Sequence, residues 1–215
     1  MKIDFVSDIA CPWCAIGLNA LERALERLGP DLPVELHFQP FELNPQMPAE
    51  GEDTVEHLSR KYGLTPEQLA KNREALNERG LAVGFRFGAR PRIWNTFDGH
   101  RLLHWAGLQG PQAQRALKHA LLQAYHGEGR NPGAPDVLLQ AASAAGLDAE
   151  QARAVIESNA YADEVRAAER HFQQLGIQAV PSVIVDGRHL IQGGQPPEVF
   201  EQALRRLAAS EQAAR

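Results

Sequence analysis

Both cysteines of this chain fall in one stretch, Cys11-Pro12-Trp13-Cys14, and that stretch lies between two different local signals. Before it, Ile3 to Val6 is a short apolar run suited to a buried strand. After it, Cys14, Leu18, Leu21, Leu25 and Leu28 recur at spacings of four, three, four and three, which is one apolar stripe of a helix. Pro12 fits the first helical turn, where its missing N–H is not needed, and Gly29-Pro30 stops the helix. A strand that delivers a Cys-x-x-Cys onto a helix N-terminus is the geometry of a thiol–disulfide redox site. The helical phase puts Cys14 on the stripe and Cys11 off it, so the spacing predicts an accessible, attacking Cys11 and a buried, resolving Cys14. Free N–H groups and the helix dipole stabilise a thiolate at Cys11. Trp13 adds bulk and an indole N–H but no charge, so Cys11 is expected to be acidified only part of the way toward the most acidic thiols of this kind.

The remaining signals supply a frame for that stretch. Val34, Leu36 and Phe38 alternate with polar residues as a second strand, ended by Pro40-Phe41-Glu42-Leu43-Asn44-Pro45. From about Thr54 to Arg170 the pattern is mostly helical. Thr65-Pro66-Glu67 reads as an N-cap with proline at the first helical position, opening a helix that Gly80 should end. Gly84 to Gly88 is a short extended piece of ambiguous type. Helices follow over Thr96 to Ala106, Gln112 to Tyr125, Pro135 to Ala145, Asp148 to Ile156 and Tyr161 to Leu175. Strand character returns at Ser182 to Val185, with Asp186-Gly187 as a hairpin turn, Arg188 to Ile191 as the returning strand and a last helix after Pro196-Pro197. With the helical block removed the order is β-α-β-α-β-β-α. The expected fold is therefore α/β: a thioredoxin-like domain, discontinuous over residues 1–45 and 176–210, interrupted by an all-helical insertion over residues 46–175.

Composition narrows the function. The chain has 215 residues, 44% of them hydrophobic, enough for a core without a disulfide staple. A net charge of −5 gives no basic field for nucleic acid or an anionic membrane, and no run approaches the length of a membrane span. The first residues enter a strand at once, with no room for a signal peptide, so a cytoplasmic location is expected. Stable disulfides are rare there, which favours a catalytic or metal-binding role for the cysteine pair. A Cys₂His₂ zinc site would need His100 and His104, spaced four apart on one helix; without a second Cys-x-x-Cys the reading is no metal. His104, Trp94, Trp105, Phe85 and Phe87 read as packing residues, and Arg86, Arg90 and Arg92 as a solvated basic loop.

Four stretches together resemble one family. Cys11-Pro12-Trp13-Cys14 preceded by Ser7-Asp8, Pro40 to Pro45, Asn95-Thr96-Phe97-Asp98-Gly99-His100-Arg101-Leu102, and Ala179-Val180-Pro181-Ser182 are similar to the FrnE-type branch of the DsbA family. The resemblance implies a thioredoxin fold with a helical insertion and a thiol–disulfide oxidoreductase or disulfide isomerase, with Cys11 and Cys14 as the redox pair and no tightly bound cofactor. It implies that Pro181 is cis beside the cysteines and that the Val180 backbone can pair with an extended substrate or glutathione. Pro12 and Trp13, then Asn44, Asn95 and His100 from the insertion side, are expected to line the substrate groove. Gly193-Gly194-Gln195, ahead of a helix, could hold a carboxylate such as the γ-glutamyl end of glutathione through free N–H groups. The implied partners are protein or small-molecule disulfides and thiols, with glutathione as a co-substrate, for a monomer or homodimer. The alternative is a glutathione-dependent transferase or isomerase, similar to kappa-class glutathione transferases and 2-hydroxychromene-2-carboxylate isomerases. These typically carry serine where Cys11 stands and lack the Cys-x-x-Cys.

Overall fold

The computed structural model of the protein describes residues 1–30 and 32–213. Strand β1 (Lys2–Ser7) runs into helix α1 (Pro12–Leu28), and β2 (Glu35–Pro40) returns parallel to β1, with Phe5 opposite Phe38. The insertion carries β3 (Glu52–Asp53), α2 (Thr54–Tyr62), α3 (Pro66–Ala82), β4 (Arg92–Ile93), α4 (Phe97–Gln109) and α5 (Pro111–Leu122). A π-helical turn (Gln123–Gly127), α6 (Pro135–Ala144) and α7 (Ala149–Glu157) complete it. Then come α8 (Ala162–Gln174), which lies inside the expected 46–175 insertion but packs Phe172 against Val6 of β1, then β5 (Ser182–Val185), β6 (His189–Gln192) and α9 (Pro197–Ala213). The main sheet has the order β2-β1-β5-β6, with β5 antiparallel to β1 and β6 antiparallel to β5. This is the thioredoxin fold with a helical insertion, to which β3 and β4 add a two-residue ladder.

The unbroken apolar run of β1 has its cause in the two layers that cover it. Ile3 and Phe5 join α1 and α9 in one core, through Leu18, Leu21, Phe200 and Leu204. Val6 faces the other way, against Phe172 of α8, Phe41, Ile177 and Ile184. A strand buried on both faces shows no alternation. The insertion has its own core from α4 to α7, and Ile9 and Ala10 belong to it. The two residues just before the cysteine pair are thus packed into the insertion rather than into the sheet.

Local chemistry explains the boundaries. Thr65 and Gln68 form a reciprocal capping box with Pro66 in the first turn of α3. Asp186 and Gly187 both take positive φ, 49° and 67°, as the two central positions of a type I′ turn require. Arg188 closes that turn by donating its N–H to Val185, so pairing resumes at His189 rather than at Arg188. The edge strand β2 is covered from the insertion: Gln114 accepts from the Phe38 N–H at 3.0 Å and donates to its carbonyl at 3.2 Å. Gly80 does not end α3. It is buried inside the helix, where an added Cβ would stand 2.6 Å from the Phe87 ring, so the glycine serves close packing. No helix among the described residues is long and apolar enough to cross a membrane.

Candidate active site

Cys11 is the N-cap of α1, in extended conformation, and Pro12 is in the first turn. The Cys14 N–H donates to the Cys11 carbonyl at 3.1 Å. The Cys11 thiol is held below its ordinary pKa, first by a hydrogen bond from the Cys14 thiol and then, against burial and the Asp8 charge, by the N–H groups of Cys14 and Trp13. Burial pushes the Cys14 thiol well above the ordinary range, and the neighbouring Cys11 adds to this. One sulfur is poised to ionise and the other to stay protonated.

The expectation that Cys11 is accessible needs correction. The residue is only 4% exposed, against 0% for Cys14. The cover comes from 169 residues away: the Val180 carbonyl accepts from the Cys11 thiol at 3.5 Å. Helical phase along α1 carries no information about that loop. The Val180–Pro181 peptide bond is cis, as the resemblance implies, and Pro181 is buried. Two glycines let this loop approach. A Cβ on Gly17 would lie 2.9 Å from Pro181 Cγ and 3.3 Å from Gly194 Cα; one on Gly194 would lie 3.1 Å from the Trp13 carbonyl oxygen. Gly17→Ala should therefore destabilise the fold by about 1–3 kcal/mol through overpacking, against the roughly 1 kcal/mol that alanine contributes in a helix interior. Urea unfolding checks this, and an unchanged or raised midpoint would show that the Pro181 loop yields freely.

Asp8 organises the loop before the cysteines. It is 1% exposed and accepts four hydrogen bonds. Oδ1 takes the Ala10 N–H at 3.0 Å, the Thr96 hydroxyl at 2.8 Å and His100 Nε2 at 3.4 Å; Oδ2 takes the Leu43 N–H at 2.7 Å. The Asp8 carbonyl accepts from the Cys11 N–H at 3.3 Å. The insertion grips the same loop from behind, with His126 Nε2 donating to Ile9 O at 2.8 Å and Arg90 donating to Ala10 O at 3.2 Å. Burial holds His126 well below the ordinary histidine range, which keeps it a neutral donor. Arg90 and Arg92, expected in a solvated loop, instead clamp backbone carbonyls, Arg92 those of Glu50 and Gly51.

The proposed groove residues divide. Pro12 and Trp13 lie half-buried beside the cysteines, and the Arg79 guanidinium stands 5.3 Å from the Trp13 ring centre. Asn44 Oδ1 accepts from His57 Nε2 at 3.1 Å and from Lys61 at 2.6 Å, while His57 also binds Glu52, so the amide is held in one orientation. Asn95 is a clamp: its Nδ2 donates to Met47 O and its Oδ1 accepts from Phe97 N–H. His100, expected at the groove, is only 2% exposed and bound to Asp8. In the Gly193–Gln195 turn, Gly193 N–H donates to Pro181 O and Gln195 N–H to Gly193 O, which leaves Gly194 as the turn's remaining donor. The Gln195 side chain folds back to Gln192 O. His104 packs against the Tyr161 ring, away from any cysteine contact, and among the described residues no three or more His, Cys, Asp or Glu are grouped to hold a metal. The sequence reading assigned no role to Asp8, Arg79 or His126; only the Ser7-Asp8 pair in the family motif pointed at the first.

A thioredoxin fold with a helical insertion, carrying a Cys-x-x-Cys at the start of α1 and a cis-proline loop against it, defines a class of thiol-active proteins. The chain belongs to the DSBA-like thioredoxin domain family, whose model matches residues 2–205. It is 30% identical over 206 residues to the uncharacterized protein YwbO of Bacillus subtilis (strain 168), covering 95% of this chain and 96% of that one. Among solved structures, the probable DsbA oxidoreductase SCO1869 from Streptomyces coelicolor is 38% identical with a TM-score of 0.87, over 96% of this chain and 89% of that one. The cytosolic disulfide reductase DsbM from Pseudomonas aeruginosa, solved with GSH, shares the fold at a TM-score of 0.67 and 16% identity, over 97% of this chain and 100% of that one.

Proposed function

We propose that the protein is a cytoplasmic thiol–disulfide oxidoreductase of the FrnE type, with Cys11-Pro12-Trp13-Cys14 as its redox centre. The observation that carries this reading is the geometry: Cys11 is the N-cap of α1, Cys14 lies one turn on with its N–H on the Cys11 carbonyl, and the Val180 carbonyl stands 3.5 Å from the Cys11 thiol. The directions in which the surroundings move the two thiols, Cys11 down and Cys14 up, agree with it. Environments that push two neighbouring groups apart mark their separate chemical roles. The Cys11 thiolate attacks a substrate disulfide, forming a mixed disulfide and releasing one substrate thiolate. Cys14 then attacks the Cys11 sulfur, closing Cys11–Cys14 and releasing the second thiol. The reverse sequence oxidises a substrate dithiol. In this reading the Val180 carbonyl, 3.5 Å from the Cys11 thiol, accepts an N–H from an extended substrate backbone. Trp13, in the same reading, borders the mouth, with Gly194 packed against it, and Asn44 contributes from the turn after β2.

Glutathione is the proposed small thiol partner, by analogy with the GSH-bound DsbM structure. A glutathione transferase or isomerase needs no second thiol, and the paired cysteines here argue for disulfide exchange. The direct test is insulin-disulfide reduction driven by dithiothreitol, with the protein at catalytic concentration. A rate well above the blank is expected; a rate equal to the blank would sink the proposal. The reduction potential of the pair against a glutathione buffer then sets direction, 30 mV being about 1.4 kcal/mol for this couple.

A further inference from the structure

Arg79 stands on α3 between residues that pack onto the cysteine pair. Leu76, three residues before it, and Val83, four after it, both join the core that holds Cys11 and Cys14. Residues at these spacings share one face of a helix. The end of α3 is fixed from two sides. Arg23 of α1 donates to the Ala82 carbonyl at 2.6 Å, and Gly80 lies so close to the Phe87 ring that a Cβ would stand 2.6 Å from it. Arg79 is thus held on the α1 side of α3, yet it remains exposed.

Its guanidinium stands 5.3 Å from the ring centre of Trp13, within the range over which an aromatic face attracts a cation. Trp13 lies between the two cysteines, so the contact seats a positive charge at the redox pair itself. No carboxylate answers that charge. Arg79 makes no hydrogen bond or ion pair with any described residue. The positions that could pair with it along α3 are Ala75, Leu76, Ala82 and Val83, none of them acidic. Glu78 is the adjacent residue, and adjacent residues do not face each other on a helix. The other cations nearby are spent: Arg23 on Ala82, Lys61 on the Leu43 carbonyl and Asn44. A guanidinium seated on an aromatic ring keeps its in-plane N–H groups, in the fork that matches a carboxylate. In a chain of net charge −5 such an unanswered cation reverses the field locally.

We propose that Arg79 selects disulfide substrates that carry a carboxylate close to the reacting sulfur, holding the anion over Trp13 while Cys11 attacks. The assignment rests on the thiol–disulfide reading and adds the substrate class to it. A small carboxylated disulfide and a peptide disulfide with an acidic residue beside its cysteine share this chemistry.

The test reads a ratio of rates. Reduced protein is mixed in stopped flow with 5,5′-dithiobis(2-nitrobenzoate), a dianion, and separately with 4,4′-dithiodipyridine, which is uncharged at neutral pH. With either probe the Cys11 thiolate forms a bond to one sulfur, the probe's S–S bond breaks, and its electron pair leaves on the other sulfur. Dividing the first rate by the second cancels any change in Cys11 ionisation or in the amount of folded protein. At low ionic strength the ratio should fall about fivefold or more in Arg79→Gln and further in Arg79→Glu. Raising salt to about 0.5 M should lower the wild-type ratio and leave that of Arg79→Gln nearly unchanged. Two model peptide disulfides, with aspartate or asparagine beside the cysteine, give the corresponding ratio for a peptide source. A loss in either ratio supports the assignment and names the source. Both ratios unchanged in Arg79→Gln and Arg79→Glu would overturn it. So would a fall in the urea midpoint with the ratios intact, which would make Arg79 a cation that serves only the α3 C-terminus. The thiol–disulfide reading fails differently, by a Cys11→Ser protein that reacts with both probes as fast as wild type.

Discussion

Cys11→Ser will remove catalysed disulfide exchange, lowering the rate by about 10³-fold or more, because the hydroxyl is not ionised near neutral pH and its α1 N-terminal site stabilises only a charge that forms. Cys14→Ser behaves differently. It leaves Cys11 at the N-cap with the Trp13 and residue 14 N–H groups still aimed at its sulfur, so the first attack persists. The variant loses resolution and accumulates a mixed disulfide at Cys11, visible as an added mass that dithiothreitol removes. It also loses the largest contribution to Cys11 acidity, the hydrogen bond from the Cys14 thiol, although serine restores part of it through its own hydroxyl. Thiolate absorbance should therefore titrate at higher pH in Cys14→Ala than in Cys14→Ser. Activity retained without Cys11, or a mixed disulfide found on Cys14 in wild type, would reject the assigned order of attack.

How much of this could be read from residues alone depended on the range of the interaction. The Thr65–Gln68 box, Pro12, Pro66 and Pro135 at helix starts and the Asp186-Gly187 turn act within four residues, and the elements they bound stand where local reasoning places them. The strand and helix order followed, and with it the fold. The cover on Cys11 could not be read, because it depends on a loop 169 residues away. Gly80 misled for the opposite reason: it resembles a stop signal, but its role is contact with Phe85 and Phe87, outside its own helix. His100 was expected in a substrate groove because of its motif, yet the motif includes Thr96 and follows a buried Asp8 that both residues bind. Periodicity cannot separate a histidine aimed at a ligand from one aimed at a buried carboxylate. Lys118 is the extreme case: it is 1% exposed, although a lysine in an amphipathic helix ordinarily marks the wet face.

Asp8 carries the largest predicted effect on stability. Its carboxylate joins three segments: the loop before Cys11, the Leu43 turn after β2 and the start of α4. Asp8→Ala strands the N–H groups of Ala10 and Leu43 and the Thr96 hydroxyl in a buried site. At about 1–3 kcal/mol for each unsatisfied group, and with the usual lack of additivity, the loss should be about 3–5 kcal/mol. Asp8→Asn keeps the shape but turns a donor toward one of those donors, and about 2–3 kcal/mol is expected. Burial pushes the Asp8 carboxyl up, but the His100 hydrogen bond and charge and the Leu43 and Ala10 N–H groups outweigh it, so the folded-state value is lowered. The unfolded chain then binds a proton that the folded one does not. This contribution is complete above the unfolded value of 3.8 and is lost as pH falls from there through the folded value. The wild-type urea midpoint should drop over that acid range, and Asp8→Asn should lack this part of the drop. A second readout runs the other way. The Asp8 charge raises the Cys11 thiol, so Asp8→Asn should make Cys11 more acidic while weakening the fold. A purely packing role for residue 8 would lower the midpoint without moving the thiolate titration, and that outcome would refute the electrostatic assignment.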